Sequence, residues 1–274
     1  MECEDDGEWP TYAIKSIDLN TNEKVVLDEQ ISNECVKMSE RAILYCKEGE
    51  IISWDLESKI KTVYYRTDKD MDLIGLCYNT NTSRLLIIQI NFKTNELFLK
   101  ILDDRKQIIF NHKIKVNDME IEGVIPIFET WNNFFVLSIQ YGLYTIDSEK
   151  LDFKQVSDKC DSYALSNRKV IYYEFIADGK TEGHSIDLIT RESKKVDNLP
   201  NDKIFNCKRA FLFTANIDGN FIPTYIVCNK PYLLVNCKWQ LISEIFIYKD
   251  NRLTVKMPFA KDVATDNSFQ WELQ

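Results

Sequence analysis

The chain has 274 residues, 45% of them hydrophobic, enough to bury a substantial core in one large domain or two small ones. Its 34 basic and 43 acidic residues leave a formal charge of −9 with no long basic run, which argues against nucleic acid, because a phosphate backbone needs a basic face. No run of 18 apolar residues is present to cross a membrane as a helix.

In chain order, the first stretch is "MECEDDGE", with five acidic residues in eight and no apolar core of a leader peptide. Residues 1–10 therefore read as an acidic flexible N-terminus. The eight cysteines, Cys3, Cys35, Cys46, Cys77, Cys160, Cys207, Cys228 and Cys237, form no close pairs. They read as reduced, mostly buried thiols of a cytoplasmic or nuclear protein.

From residue 11 onward helical periodicity is nearly absent. "AIKSIDLNTNEKVVL" (13–27) and "EIISWDLESKIKTVYY" (50–65) each read as a strand, a polar tip and a second strand, and "RAILYC" (41–46) supplies another between them. "DKDMD" spaces Asp68, Asp70 and Asp72 like the first ligands of a calcium loop. The sixth and twelfth positions are Leu73 and Asn79 instead of Gly and Glu, so a solvated connection is expected. The glycosylation-type triplet Asn81-Thr82-Ser83 reads as a chance match in a turn.

"RLLIIQINF" (84–92) and "ELFLKILDDRKQIIF" (96–110) continue the strand signals. In "ETWNNFF" (129–135) a tryptophan stands beside turn residues. Trp131 is the one candidate for a partner-binding anchor, set against the commoner role of a large aromatic in packing. Next come "GLYTIDSEKLDFKQV" (142–156), "KVIYYEFIA" (169–177), "EGHSIDLITRESKKV" (182–196), "NIDGNFIPTYIV" (216–227) and "EIFIYKDNRLTVKM" (244–257). "DGKTEG" (178–183) holds the Gly-Lys-Thr tail of a phosphate loop, but Glu174 occupies the place of the required earlier glycine; a hairpin tip is expected.

An Asp recurs at the end of one strand in these segments, at Asp18, Asp55, Asp103, Asp147, Asp187 and Asp250. Its spacing of 37–48 residues, longer only before Asp250, matches the period of propeller blades. Each Asp reads as a turn former that accepts a backbone N–H two residues on. The expected fold is all-β: one β-propeller over 11–274 with about six four-stranded blades, or seven if the long last unit is two. Approximate blades are 11–27 with a C-terminal strand from "NSFQWELQ", then 35–65, 73–110, 124–156, 162–196 and 205–257. Pairing of N- and C-terminal strands would close the ring.

Through Trp54-Asp55 and these strand-turn-strand units the chain resembles the WD-repeat propellers. Kelch propellers are less similar, because no double glycine occurs. The WD-repeat resemblance implies a rigid platform for protein partners and usually no catalysis.

Histidine occurs only at His112 and His184. His184, Ser185 and Asp187 lie close in sequence, but neighbouring strand residues point to opposite faces and cannot converge as a triad. No catalytic, metal or cofactor residue is assigned. The expected function is a non-catalytic scaffold or interaction module, not an enzyme, binding protein partners, basic peptide segments among them, through its loops. The alternative is a metal-dependent, lactonase-like propeller hydrolase with a carboxylate-lined central channel.

Overall fold

The computed structural model describes residues 12–17, 24–31, 35–39, 42–115, 127–177, 180–199, 210–217, 220–227, 230–235, 238–241, 244–249 and 252–258. Every regular element among them is a β-strand, and each sheet is an antiparallel meander in sequence order. The chain divides into two compact units, Met1–Asp158 and Lys159–Gln274.

In the first unit, β1 (Tyr12–Ile17) pairs with β2 (Lys24–Ile31) in a two-stranded sheet. A four-stranded sheet follows, of β3 (Cys35–Lys37), β4 (Ala42–Lys47), β5 (Glu50–Asp55) and β6 (Lys61–Arg66). The next consists of β7 (Asp72–Asn79), β8 (Arg84–Asn91), β9 (Glu96–Leu102) and β10 (Ile108–Lys115). The last contains β11 (Ile127–Trp131), β12 (Phe134–Ile139), β13 (Gly142–Asp147) and β14 (Asp152–Ser157).

β8 shows why the sequence runs continuously apolar at 85–90. Leu85 and Ile87 pack with Leu44, Ile51 and Tyr64 of the preceding sheet, while Leu86, Ile88 and Ile90 pack with Phe135, Leu137 and Ile139 of the following one. A strand covered on both faces loses the polar half of its alternation. β10 lies at the sheet's outer edge and regains it, with exposed Asn111, Lys113 and Lys115 between partly buried His112 and Ile114. The β4–β5 turn is tight because Glu48 and Gly49 both take positive φ, 51° and 76°.

Asp28 of β2 ties the first two sheets together. Its carboxylate accepts hydrogen bonds from Tyr45 Oη (2.6 Å), Lys47 Nζ (2.8 Å) and Lys61 Nζ (2.6 Å). Trp54 is 4% exposed, packs beside Tyr45 and Ile31, and has Lys61 Nζ 4.5 Å above its ring. The tryptophan of the Trp-Asp pair is thus a core side chain.

The second unit contains β15 (Cys160–Ser166), β16 (Lys169–Ala177), β17 (Lys180–Asp187) and β18 (Ser193–Lys195) in one sheet. A second four-stranded sheet has β19 (Ala210–Ile217), β20 (Asn220–Val227), β21 (Lys230–Val235) and β22 (Lys238–Leu241). β23 (Glu244–Lys249) and β24 (Arg252–Pro258) form a separate pair. The stretch 205–257 therefore holds two sheets, and the hairpin at 216–227 is the β19–β20 turn with β20. Between the two four-stranded sheets, Trp239 Nε1 donates to Tyr173 Oη (2.9 Å), which donates to the Asp197 carbonyl (3.1 Å). Gly183 makes room for this ring: a Cβ there would lie 2.7 Å from Tyr173 Cε1.

The acidic segment 1–10, the 116–126 connection and the expected closing strand "NSFQWELQ" lie outside the described residues. No helix among the described residues is long and apolar enough to cross a membrane.

Candidate functional site

The repeated aspartates close turns. Asp55 Oδ1 accepts the N–H groups of Glu57 (3.0 Å) and Ser58 (2.7 Å), and Asp103 Oδ1 those of Arg105 (3.0 Å) and Gln107 (2.8 Å). Asp147 Oδ1 takes Glu149 and Lys150, and Asp187 Oδ1 takes Ile189 and Thr190, at 3.0 and 3.1 Å in both cases. Asp18 and Asp250 lie outside the described residues. Asn79 and Asn91 do the same work, accepting from Asn81 and Thr82 and from Lys93 and Thr94. A short side-chain oxygen is all the turn requires, so a search for repeated Asp passes over them.

Antiparallel alternation places the β7–β8, β9–β10, β11–β12 and β13–β14 turns at one end of their sheets. There the two sheets are joined by a belt of hydrogen bonds. Asn79 Nδ2 (2.6 Å) and Asn81 Nδ2 (3.3 Å) both donate to the Asn132 carbonyl. The Thr82 and Ser148 hydroxyls meet at 3.2 Å, and Ser148 donates from N (2.8 Å) and Oγ (2.6 Å) to the Asn133 carbonyl. Asn133 Nδ2 donates to Asp147 Oδ1 (2.7 Å). Burial alone would raise the Asp147 carboxyl, but the Lys150 and Glu149 N–H groups, the Asn133 amide and the Lys150 charge outweigh it and hold it below the usual range.

Trp131 ends β11 at this belt. Its ring stacks on Phe134, centroids 6.3 Å apart and planes 25° apart, and the residue stays partly exposed. Asn132 beside it is exposed, with φ of 49°. An amphipathic ring fixed at the edge of a rigid, amide-lined rim is suited to docking another chain. Of the residues here, Trp131 is singled out by the sequence as an anchor, and Asp147, Asn81 and Thr82 only as turn residues. Asn79, Asn132 and Ser148 carry ordinary turn chemistry with a partner in another sheet, and Asn133 braces Asp147 and Ser148 within its own.

The other sequence candidates separate. Asp68 pairs with Lys100 and Asp70 with Lys93 (3.0 Å), so both face lysines. Among the described residues no group of three or more His, Cys, Asp or Glu side chains is placed to hold a metal ion. Lys180 and Thr181 begin a strand, with no loop-to-helix step after them. His184 stacks on Tyr172 (5.4 Å), Ser185 Oγ donates to the Lys194 carbonyl, and Asp187 closes its turn and accepts from Arg168 Nε (2.7 Å). The three do not converge. His112 stacks on Phe153 at 4.0 Å. Cys46, Cys77 and Cys160 are buried and not disulfide-bonded; burial, with Glu129 near Cys77 and with Asp161 and Glu174 near Cys160, pushes the last two thiols up to about 12.

Meanders of four antiparallel strands, packed face to face and punctuated by Asx-closed turns, define the β-propeller class. No family model matches this sequence, and no curated protein does. Solved structures do. An oligogalacturonate lyase from Vibrio parahaemolyticus is 15% identical with a TM-score of 0.57, over 92% of this chain and 77% of its own. The acylaminoacyl peptidase of Pyrococcus horikoshii is 11% identical with a TM-score of 0.56, over 89% of this chain and 44% of its own. The β-propeller domain of the Trilobed protease from Pyrococcus furiosus, which has an open velcro topology, is 12% identical with a TM-score of 0.54, over 89% and 82%.

At these identities the likeness shows the fold: a β-propeller, with WD-repeat membership not distinguished. It also corrects the expectation that this chain is not an enzyme. That expectation was drawn from the fold's reputation as a platform and from the scarcity of histidine. Propellers of the same build occur in a lyase and in peptidases, so neither ground excludes catalysis.

Proposed function

We propose that the chain is a propeller recognition module that binds a protein or peptide through the hairpin end carrying Trp131. The observation behind this reading is the hydrogen-bonded belt, which fixes Trp131 and Asn132 at the surface beside it. Rigid aromatic anchors of this kind dominate interfaces because little side-chain entropy is lost on binding. The formal charge of −9 favours partners with basic segments over nucleic acid or anionic lipid. Buried, unreactive thiols accord with a cytoplasmic or nuclear setting. The proposal takes the five four-stranded sheets and two two-stranded pairs as strands for about six blades, with ring closure by terminal strands as its remaining part.

The test is affinity purification with cross-linking from native extract, comparing the wild-type chain with Trp131→Ala. A saturable, stoichiometric partner cross-linked near 79–84 and 131–134, and bound at least tenfold more weakly by the folded variant, is expected. Equal capture by both chains, or cross-links confined elsewhere, overturns it.

A second reading, catalysis by the chain itself, is favoured by the enzymes among its structural neighbours. Its specific form is the metal-dependent, lactonase-like hydrolase. Purified chain, with and without added divalent metal, is assayed on lactone, phosphotriester, oligogalacturonate and acyl-peptide substrates. Turnover that copurifies with the chain supports this reading; its absence from every substrate class counts against it.

A further inference from the structure

We infer that the notch beside Arg168, Lys169 and Lys194 binds the phosphoryl group of a small phosphate-bearing molecule. It belongs to the second unit, whereas Trp131 belongs to the first, so the inference does not rest on the recognition reading. The notch measures about 310 Å³, at the small end for small-molecule sites, and Ser185, Asp187 and Glu192 complete its lining. Lys169 stands opposite Asp187 and Lys194 opposite Ser185, so these side chains share one face of the β15–β18 sheet. The same face turns Ile171 and Tyr173 toward Leu212, Leu234 and Trp239 of the β19–β22 sheet.

The β11–β14 sheet builds the same frame without these charges. There Asn133 donates to Asp147 and its carbonyl takes the Ser148 N–H; here Arg168 Nε donates to Asp187 (2.7 Å) and its carbonyl takes the Leu188 N–H (2.9 Å). Phe134 stands opposite Asp147 as Lys169 stands opposite Asp187. Lys154 stands opposite Thr145 as Lys194 stands opposite Ser185, but Lys154 pairs with Asp152 (3.8 Å), the counterpart of Glu192. A neutral amide and a phenyl ring thus suffice to close this frame. Cations in both places add two charges that the turn does not require, in a chain whose formal charge is −9.

The cationic heads are within reach of solvent. Lys194 is exposed, Lys169 is partly so, and the Arg168 side chain is 54% exposed with its Nε on Asp187. Neither lysine forms an ion pair with a described residue. Asp187 is held by Arg168 and by the Ile189 and Thr190 N–H groups, which leaves exposed Glu192 as the one opposing carboxylate of the lining. Ser185 already donates to the Lys194 carbonyl, so the three cations are the donors for a ligand. Three separately mounted donors, the lysines acting as point charges, match the three oxygens of a phosphoryl group better than the two in-plane oxygens of a carboxylate.

The experiment follows amide and side-chain N–H resonances of the full chain at constant ionic strength. The probes are inorganic phosphate, glycerol 3-phosphate, acetate and the peptide acetyl-Ala-Ala-phosphoSer-Ala-Ala-amide. Phosphate and glycerol 3-phosphate should give saturable shifts centred on 168–169, 185–187 and 192–194, at least tenfold tighter than acetate, with the peptide no tighter than glycerol 3-phosphate. R168N, which carries the residue type found at Asn133, should fold and lose at least threefold in phosphate affinity, as should K169Q. E192Q should gain at least twofold, a change that loss of a merely structural contact would not produce.

Acetate within tenfold of phosphate, or shifts that fail to saturate or lie elsewhere, overturn the inference on the wild type alone, whether or not a variant folds. Unchanged phosphate affinity in folded R168N and K169Q, or no gain in folded E192Q, also overturns it. A phosphopeptide bound more tightly than glycerol 3-phosphate overturns the small-molecule assignment. Partner capture by W131A tests the recognition reading by itself, so the two proposals fail separately.

Discussion

A carboxylate leaves water without neutralising only where donors take the water's place, and Asp28, Asp147 and Asp187 are three such residues. Burial would raise the Asp28 carboxyl, but hydrogen bonds from Lys47, Lys61, Tyr45 and the Glu29 N–H outweigh it and hold it well below the usual range. At Asp187 burial is likewise outweighed by the Thr190 and Ile189 N–H groups and Arg168. Folded values below the unfolded one, near ~3.9, mean stabilisation that is complete above that pH and lost as the pH falls through and below it. Urea midpoints should hold from pH 7 to 5 and fall toward pH 3. D28N should cost about 1–2 kcal/mol at pH 7 and flatten the acid limb; an acid limb as steep as wild type would show that Asp28 is not a source. A steric case is Gly183→Ala. Its Cβ would meet Tyr173 Cε1 at 2.7 Å and the Asp197 carbonyl at 2.9 Å, and a loss of about 1–3 kcal/mol is expected, read by Trp239 fluorescence during unfolding.

Among elements, β8 and the hairpin tips answer to different forces. Ile88 is fully buried in the seam with the β11–β14 sheet, so Ile88→Ala should cost about 2–5 kcal/mol, whereas exposed Phe92→Ala at the next turn should stay within about 0.5 kcal/mol. At the tip, Asn79→Asp keeps the turn's acceptor and removes the donor to Asn132; Asn79→Ala removes both. Faster amide exchange at 131–133 in both variants, but at 81–82 only in the alanine variant, is expected. What the sequence showed follows the same division. Strand runs and Asx aspartates have local, repeating causes, so alternation and spacing reveal them. The Asn79–Asn132 link spans 53 residues and leaves no period. Lys100 sits in an apolar strand yet is buried against Tyr65 and Asp68.

For the whole molecule, both compact units use one construction, four-stranded meanders closed by side-chain-capped turns, although the sequence repeats only its aspartates and strand rhythm. The Trp-Asp pair separates along that line: Asp55 belongs to the recurring turn, and Trp54 to one local core with Tyr45 and Ile31. Because the turn is closed by its own first side chain, those following residues that are exposed and make no contact with a neighbouring sheet are free to vary without disturbing the strand register. The tips thus form a set of interchangeable sockets. Replacing Asp104 and Arg105 with a foreign recognition pair, with Asp103 and the left-handed Lys106 (φ 64°) retained, should leave the β9–β10 register and thermal midpoint nearly unchanged, and the same graft with Asp103→Ala should not. New binding specificity could then be written into this scaffold one turn at a time without redesigning its core.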